Sequence, residues 1–183
     1  MTVYWDDLRF PAAAVNPPGQ ASDPDRESTT GAWLFAQTGT ETLFYWVQLP
    51  HGYAEYTEII PHVHWMKTTS ASGDVVWEFG YRKARIGEVM DAAYTTTTAS
   101  STVTGTPDND TADEHLITSF GEIGLTDLEI SDMLLIRLSR LGSDGSDTYG
   151  ADARLVEFDI HYRIDQAGSA AQFAKVWLKG GHR

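Results

Sequence analysis

Segments in which apolar and polar residues alternate run through most of the chain, and turn-forming residues separate them. An alternation with a period of two places one side of a strand on the core and the other side in solvent. β-branched and aromatic residues are frequent in these segments, as they are in half-buried strands. We expect eight strands, at about residues 31–37, 41–49, 58–66, 74–86, 93–104, 114–122, 133–141 and 153–164.

Eight alternating strands predict an all-β fold, a two-sheet antiparallel β-sandwich. Eight is also the strand number of a jelly roll, in which the first, third, sixth and eighth strands share one sheet. The third and eighth strands are then neighbours, and an immunoglobulin-like strand order is the alternative. We expect extended terminal arms on this jelly-roll-like domain: an N-terminal arm and loop at residues 1–30, the sandwich at 31–164 and a C-terminal tail at 165–183.

The composition excludes several classes of function. The chain has 183 residues and no cysteine, so disulfides, thiolate metal sites and thiol catalysis cannot occur. A formal net charge of −13 opposes binding to nucleic acid and to anionic membranes. No apolar run approaches the roughly 20 residues of a membrane-spanning helix, and the acidic start does not suit a signal peptide. We therefore expect a protein made in a cytoplasm, with no cofactor.

Alternation also places three histidines and a carboxylate on outer strand faces. His62 and His64 share one side of the third strand, and Asp159 and His161 lie opposite the core side of the eighth. If the two strands are neighbours, these four side chains meet and form a candidate transition-metal site. Alternation predicts polar residues on an outer face even without a ligand. We therefore interpret the set as a hydrogen-bonded patch or a subunit interface.

Motifs of known enzymes fit the chain poorly. A cupin-like metal enzyme would use His62, His64 and His161, but the next glutamate is Glu78, further along than the cupin pattern places it. The sequence has no Gly-x-Ser-x-Gly elbow and no phosphate-binding loop with a lysine. The acidic loop 142–152 is interpreted as a turn, because its spacing differs from that of a calcium-binding EF-hand. We expect no catalytic residue and no enzymatic activity.

Six tryptophans are many for this length, and most of them fit core positions. Trp5 and Trp177 lie in the terminal segments, and we expect them at a subunit interface, where aromatic residues are enriched. The predicted interface comprises Trp5, His62, His64, His161 and Trp177. Exposed aromatic side chains can also stack on sugars, so a host glycan is an alternative partner.

Several motifs occur in order along the chain. They are Gln48-Leu49-Pro50-His51-Gly52-Tyr53, Pro61-His62-Val63-His64-Trp65, Ser131-Asp132-Met133 with Arg137, Asp147-Thr148-Tyr149, and Phe158-Asp159-Ile160-His161-Tyr162 with Gly168-Ser169. Taken together, the set resembles structural proteins of tailed bacteriophages and prophages. The resemblance spans about residues 43–169 and implies a place in the virion, without supplying a catalytic residue.

The resemblance and the expected fold together predict a non-enzymatic virion protein, acting as a capsid decoration or head spike through subunit contacts. We expect a homotrimer that contacts other virion proteins such as the major capsid protein. A tail or fibre module that binds host-surface carbohydrate is the alternative. The cupin-like metal-dependent enzyme is a second alternative.

Overall fold

A computed structural model describes residues 4–15, 17, 19–103, 111–165, 168–169 and 171–175. In this part of the chain the backbone forms eleven strands and one 3₁₀ turn at Ala12–Ala14. The strands are β1 Tyr4–Pro11, β2 Asp25–Arg26, β3 Trp33–Phe35, β4 Thr40–Gln48, β5 Glu58–Lys67, β6 Gly73–Ala84, β7 Thr95–Val103, β8 His115–Ser119, β9 Ile123–Gly124, β10 Met133–Leu141 and β11 Ala153–Ile164. No described helix has the length and apolar character needed to cross a membrane.

The strands form two antiparallel sheets. Sheet A has seven strands: β2, β3, β11, β5 and β8 follow one another, β1 pairs with the rest of β11, and β9 pairs with the end of β5. Sheet B has four strands in the order β4, β10, β6, β7. The first, third, sixth and eighth predicted strands correspond to β3, β5, β8 and β11, and all four lie in sheet A. The all-β sandwich with jelly-roll-like order is therefore confirmed, and the immunoglobulin-like order is wrong.

The inner faces of the two sheets meet in an aromatic core. Trp65 of β5 and Trp77 of β6 are fully buried, with ring centroids 6.3 Å apart. Phe79 of β6 and Phe158 of β11 are also buried, and their ring centroids lie 5.9 Å apart. Each buried aromatic ring removes a large apolar area from water, worth roughly 25 cal/mol per Å². This burial holds one sheet against the other.

A β-bulge in β11 interrupts its alternation. The register against β5 shifts between Leu155 and Glu157, and Leu155 and Phe158 both lie in the core. A simple alternation along the strand predicts Val156 in the core, but Val156 lines depressions on the outer face of sheet A. The reason is the extra residue of the bulge, which redirects the side chains on either side of it.

The N-terminal segment belongs to the sandwich over much of its length. β1 pairs with β11 along its whole length. Leu8 and Phe10 pack against the core, and the ring of Phe10 lies 5.8 Å from that of Phe158. The start of the predicted N-terminal arm therefore forms an edge strand of sheet A, in which alternate apolar residues are partly buried. The division at residues 1–30, 31–164 and 165–183 stays a prediction.

Only part of the predicted C-terminal tail, residues 165–183, is described. Lys175 donates hydrogen bonds through Nζ to the carbonyl oxygen of Tyr53 and to the carboxylate of Asp165. These contacts fasten the described end of the tail to the sandwich. Trp177, one of the predicted interface residues, lies outside the described residues.

A buried ion pair anchors the loop at 142–152. The side chains of Arg140 and Asp147 are 0% and 1% exposed. The guanidinium donates to both carboxylate oxygens of Asp147, at 3.0 and 2.8 Å. It also donates to three backbone carbonyls, those of Phe35, Ala151 and Tyr149. The predicted turn is therefore held by a structural ion pair, and both Asp147 oxygens are already engaged.

Candidate functional site

The outer face of sheet A gathers histidines and carboxylates from several strands. β11 and β5 are neighbours, and Asp159 lies directly opposite His62. Strand pairing thus brings together the side chains that the predicted topology placed on one face. We call the surface formed by Asp7, His62, His64, His115, Asp159 and His161 the histidine face.

Asp159 is the central residue of the histidine face. Its side chain is 7% exposed, and that of His62 is 6% exposed. The Nε2 atom of His62 lies 2.5 Å from Asp159 Oδ1, and Nε2 of His64 lies 3.5 Å from Asp159 Oδ2. Although the first contact is short, Oδ1 accepts no hydrogen bond of acceptable geometry from any described residue. Two imidazoles therefore face one carboxylate whose nearer oxygen lacks a directed donor.

Burial and charge shift the two imidazoles in opposite directions. Burial disfavours the charged form of His62, but contact with the Asp159 carboxylate outweighs it and raises the pKa of His62 above its ordinary value. Burial lowers the pKa of His64; Asp159 opposes this effect, and the neighbouring His62 and His115 reinforce it. At neutral pH His64 is therefore mainly neutral, the form in which imidazole binds metals.

Two members of the histidine face are absent from the sequence-based set. His115 of β8 has Nε2 2.8 Å from Nδ1 of His64. Asp7 of β1 has Oδ1 3.1 Å from Nε2 of His161. The predicted jelly roll puts the sixth strand in the same sheet as the third, so alternation along that strand was a usable signal for His115. Asp7 lies in the segment predicted as a short strand or an arm, for which no partner strand was predicted.

The histidine face is a depression with charged walls. Its volume is about 460 Å³. Arg9 on its wall pairs with Glu157 through two hydrogen bonds of 2.6 and 2.8 Å. Two groups of three residues approach closely enough to hold a metal ion, His62, His64 and Asp159, and Asp7, Asp159 and His161. The face can therefore bind a cation or a small polar ligand.

The outer face of sheet B has a different character. Trp46 of β4 is 58% exposed. Leu135 of β10 lies opposite Trp46, and Arg137 lies opposite Phe44, so these side chains share the face that points away from the core. We call the surface formed by Phe44, Trp46, Glu78, Tyr94, Leu135 and Arg137 the aromatic face.

Polar groups on the aromatic face are held in place. Arg137 donates a hydrogen bond of 2.7 Å to the carboxylate of Glu78. Its guanidinium also lies 4.7 Å from the ring centroid of Tyr94. A groove of about 410 Å³ lies beside Trp46, between β4 and the N-terminal segment. The face thus combines an exposed indole, an ordered ion pair and a groove.

The predicted interface residues lie at different depths. Trp5 is 46% exposed, and the guanidinium of Arg163 lies 4.9 Å from its ring centroid. His64 and His161 are partly exposed, whereas His62 is buried. The rings of His64 and His161 lie 5.0 and 4.3 Å from that of His62, so His62 has little surface left for a partner. An interface role for the others stays a prediction.

The three histidines of the cupin-like alternative assemble on one face. His62, His64 and His161 do converge, but on the outer face of sheet A. Glu78 lies on sheet B, where it pairs with Arg137. Glu78, the next glutamate after His64 in the sequence, therefore has no part in the histidine face.

Segments that carry the phage resemblance contact one another. The N–H of Leu49 donates to the carbonyl of Asp132, and the N–H of Ser131 donates to the carbonyl of Leu49, each at 2.9 Å. His51 lies between two hydroxyls, with Nδ1 2.7 Å from Ser169 Oγ and Nε2 3.4 Å from Ser131 Oγ. These motifs therefore join the end of β4, the turn before β10 and the C-terminal segment.

Comparison with known proteins gives structural likenesses at low sequence identity. No protein-family model and no curated protein matches the sequence. Among solved structures, a cycloisomaltooligosaccharide glucanotransferase of Paenibacillus sp., in complex with cycloisomaltoheptaose, is similar over 82% of this chain, with 12% identity and a TM-score of 0.45. The chain spans only 18% of the length of that enzyme.

Two carbohydrate-binding modules are also similar in structure. The CBM22-2 xylan-binding domain from Paenibacillus barcinonensis Xyn10C matches 85% of this chain and 98% of its own length, with 10% identity and a TM-score of 0.39. TmCBM61, in complex with β-1,4-galactotriose, matches 88% of each chain, with 12% identity and a TM-score of 0.32. At these TM-scores the likenesses do not define a ligand for this chain.

Proposed function

We propose that the chain is a non-catalytic carbohydrate-binding module that uses its aromatic face. The exposed indole of Trp46 carries this proposal. A tryptophan on a sheet normally lies on the core side or at an interface, because its large apolar ring is costly to leave in water. An indole kept in solvent on a rigid strand offers a flat apolar surface to the C–H face of a sugar ring.

Residues on the same outer face as Trp46 supply the polar half of such a site. Sugars present many hydroxyl groups, which need both donors and acceptors. Arg137 and Glu78 lie on the same outer face and offer a guanidinium and a carboxylate. Because they already hold each other at 2.7 Å, little side-chain entropy is lost when a ligand binds. The groove beside Trp46 gives room for more than one sugar unit.

A glycan array probed with the purified chain tests the proposal. We expect binding to a defined subset of oligosaccharides, and an affinity loss of at least about tenfold, or about 1.4 kcal/mol, in Trp46→Ala. Trp5→Ala is the matched control, because it removes another exposed indole on the other sheet and should leave the affinity unchanged. A wild-type chain that binds no glycan, or a Trp46→Ala variant of full affinity, would refute the proposal.

We propose a second function, a structural role in a bacteriophage virion, on the basis of the phage resemblance and the exposed edge strand β1. Tyr4 and Trp5 are both exposed on β1, and apolar groups at a sheet edge are suited to contacts between subunits. In this role the chain would decorate the capsid or head, with a trimer as the expected assembly. The carbohydrate-binding module and the virion component are compatible if the module belongs to a tail or fibre.

Quantitative mass spectrometry of purified virions tests the second function. A copy number comparable with that of the major capsid protein would support capsid decoration. A low copy number would place the chain at the tail, neck or a single vertex. Its absence from particles would refute the virion role and leave the carbohydrate proposal to stand on its own binding data.

A further inference from the structure

We propose that His62, His64 and Asp159 bind one divalent transition-metal ion at the histidine face, with zinc as the probe. The inference does not depend on carbohydrate binding, because the aromatic face lies on the other sheet. Three protein ligands would leave one position open towards the depression. This is the arrangement of zinc sites that accept water or a further ligand.

The first argument comes from the placement of the ligand atoms. His62, His64 and Asp159 each offer one ligand atom, and these three atoms lie within 4.8 Å of one another. The Nδ1 atom of His62 lies 3.3 Å from the carbonyl oxygen of Ile60, and Nε2 faces the Asp159 carboxylate. A carbonyl bonded to the other ring nitrogen is also the usual support of a metal-binding histidine.

A direct hydrogen bond from His62 to Asp159 is the competing explanation of the 2.5 Å contact. Two ligand atoms of one tetrahedral zinc ion lie about 3.4 Å apart, so the ion would bind the other carboxylate oxygen, Oδ2, or widen this contact. Among the described residues, none donates a hydrogen bond of acceptable geometry to Asp159 Oδ1. The buried carboxylate therefore has capacity for a further partner.

The position of His64 fits the same ion. Its Nε2 lies 3.5 Å from Asp159 Oδ2. Ligand atoms about 2.1 Å from a tetrahedral zinc ion are about 3.4 Å apart, so this spacing suits two ligands of one ion. The contact of 2.8 Å between His64 Nδ1 and His115 leaves Nε2 of His64 free to face the carboxylate. His115 is thus a positioning residue.

The charge balance and the donor atoms define the class of ion. A carboxylate buried to this degree costs free energy unless a cation compensates it. Arg9, a cation on the wall of the depression, already pairs with Glu157. Two imidazole nitrogens and a carboxylate oxygen suit zinc, copper or nickel better than calcium or magnesium, which prefer oxygen ligands.

Titration calorimetry with zinc chloride tests the site on the tag-free chain after treatment with a chelator. We expect one ion per chain. The affinity should be at least about 100-fold weaker in Asp159→Asn and in His64→Gln. Loss of a residue that only supports a ligand typically costs about 10- to 100-fold, so a loss of this size indicates a direct ligand. His51→Gln is the matched control, because it removes a histidine outside the face and should bind zinc normally. His161→Gln should also bind normally, because His161 belongs to the other group of candidate ligands.

Cobalt substitution gives a readout that a merely structural role would not change. Tetrahedral cobalt bound by imidazole and carboxylate absorbs visible light strongly, and we expect this absorption in the wild type and its loss in Asp159→Asn. Circular dichroism of each variant without metal shows whether it is folded. If Asp159→Asn unfolds, His64→Gln still tests the site, because it changes only a partly exposed residue. Absence of stoichiometric binding, or full affinity in a folded His64→Gln variant, would overturn the proposal. Loss of binding in His161→Gln would overturn the ligand assignment.

Discussion

Two polar clusters are buried in this sandwich to a similar degree, yet they are built differently. In the first, the guanidinium of Arg140 donates to both oxygens of Asp147 and to three backbone carbonyls. In the second, Asp159 faces two histidines, and its Oδ1 accepts no hydrogen bond of acceptable geometry from the described residues. The first cluster is closed upon itself, whereas the second opens into the depression of the histidine face.

The difference separates a structural cluster from a candidate binding site. Burial of charge is tolerated when every polar atom has a partner, and the Arg140 network meets that condition. The Asp159 cluster leaves binding capacity unused beside the depression of the histidine face. The degree of burial alone does not distinguish the two, because both carboxylates are almost fully buried. The two clusters differ in whether each buried polar atom has a hydrogen-bond partner.

The largest expected effect is the loss of Arg140. Arg140→Ala leaves the Asp147 carboxylate buried without its cation, so the free energy of unfolding should fall by about 3–5 kcal/mol, measured by urea denaturation. Arg85→Ala is the control, because Arg85 forms an exposed pair with Glu88 and its removal should change stability by less than about 1 kcal/mol. If Arg140→Ala were no more destabilising than Arg85→Ala, the contrast between the clusters would fail.

The next effect concerns stabilisation of the Asp159 cluster by metal. At a free zinc concentration 100 times the Kd, the wild type should gain about 2.7 kcal/mol in free energy of unfolding, because zinc binds only the folded chain. Asp159→Asn, with an affinity at least about 100-fold weaker, should gain at most about 0.4 kcal/mol under the same conditions. Arg140→Ala should respond to zinc if it still folds. Thermal unfolding with and without zinc measures the gain. An equal gain in wild type and Asp159→Asn would contradict the assignment.

A smaller effect is expected in the loop that the Arg140 network anchors. A Cβ at Gly142 would lie 2.7 Å from the backbone carbon of Gln37, whereas a Cβ at Gly145 would meet nothing within 4 Å. Gly142→Ala should therefore cost about 1–3 kcal/mol, the usual range for overpacking. Gly145→Ala should stay within about 0.5 kcal/mol of the wild type. Similar denaturation midpoints for the two variants would mean that the loop is not tightly packed.

The smallest effect is expected at the wall of the histidine face. Arg9→Ala breaks the two hydrogen bonds to Glu157, but the Arg9 side chain is largely exposed and the pair is screened by solvent. We expect an unchanged denaturation midpoint and unchanged zinc stoichiometry. A marked loss of stability would show that this exposed pair contributes to the fold in the way that the Arg140 network does.

Much of the fold could be predicted from the sequence because alternation is a local property. The predicted strand at 133–141 coincides with β10, and the one at 41–49 differs from β4 by one residue at each end. The jelly-roll order followed from the number of strands and is borne out by sheet A. Bulges are not visible in a simple alternation, so the outward position of Val156 was missed.

The candidate sites could be predicted only in part. Alternation placed His62, His64, Asp159 and His161 on outer faces, and the topology joined them. It did not reveal that His62 is buried, because the burial comes from the rings of neighbouring histidines. Alternation also did not distinguish Trp46 from the core tryptophans. Trp46 is exposed because no described residue covers that side of sheet B.

By itself the sequence determined which side chains point to the core and which point outward, because a period of two is set by the geometry of each strand. Only the tertiary structure decided which outward residues meet. The contact between His62 and Asp159 depends on the register of β5 against β11, and the place of Asp7 depends on the pairing of β1 with β11. Both pairings join segments far apart in the chain, and a local pattern does not encode the register between them.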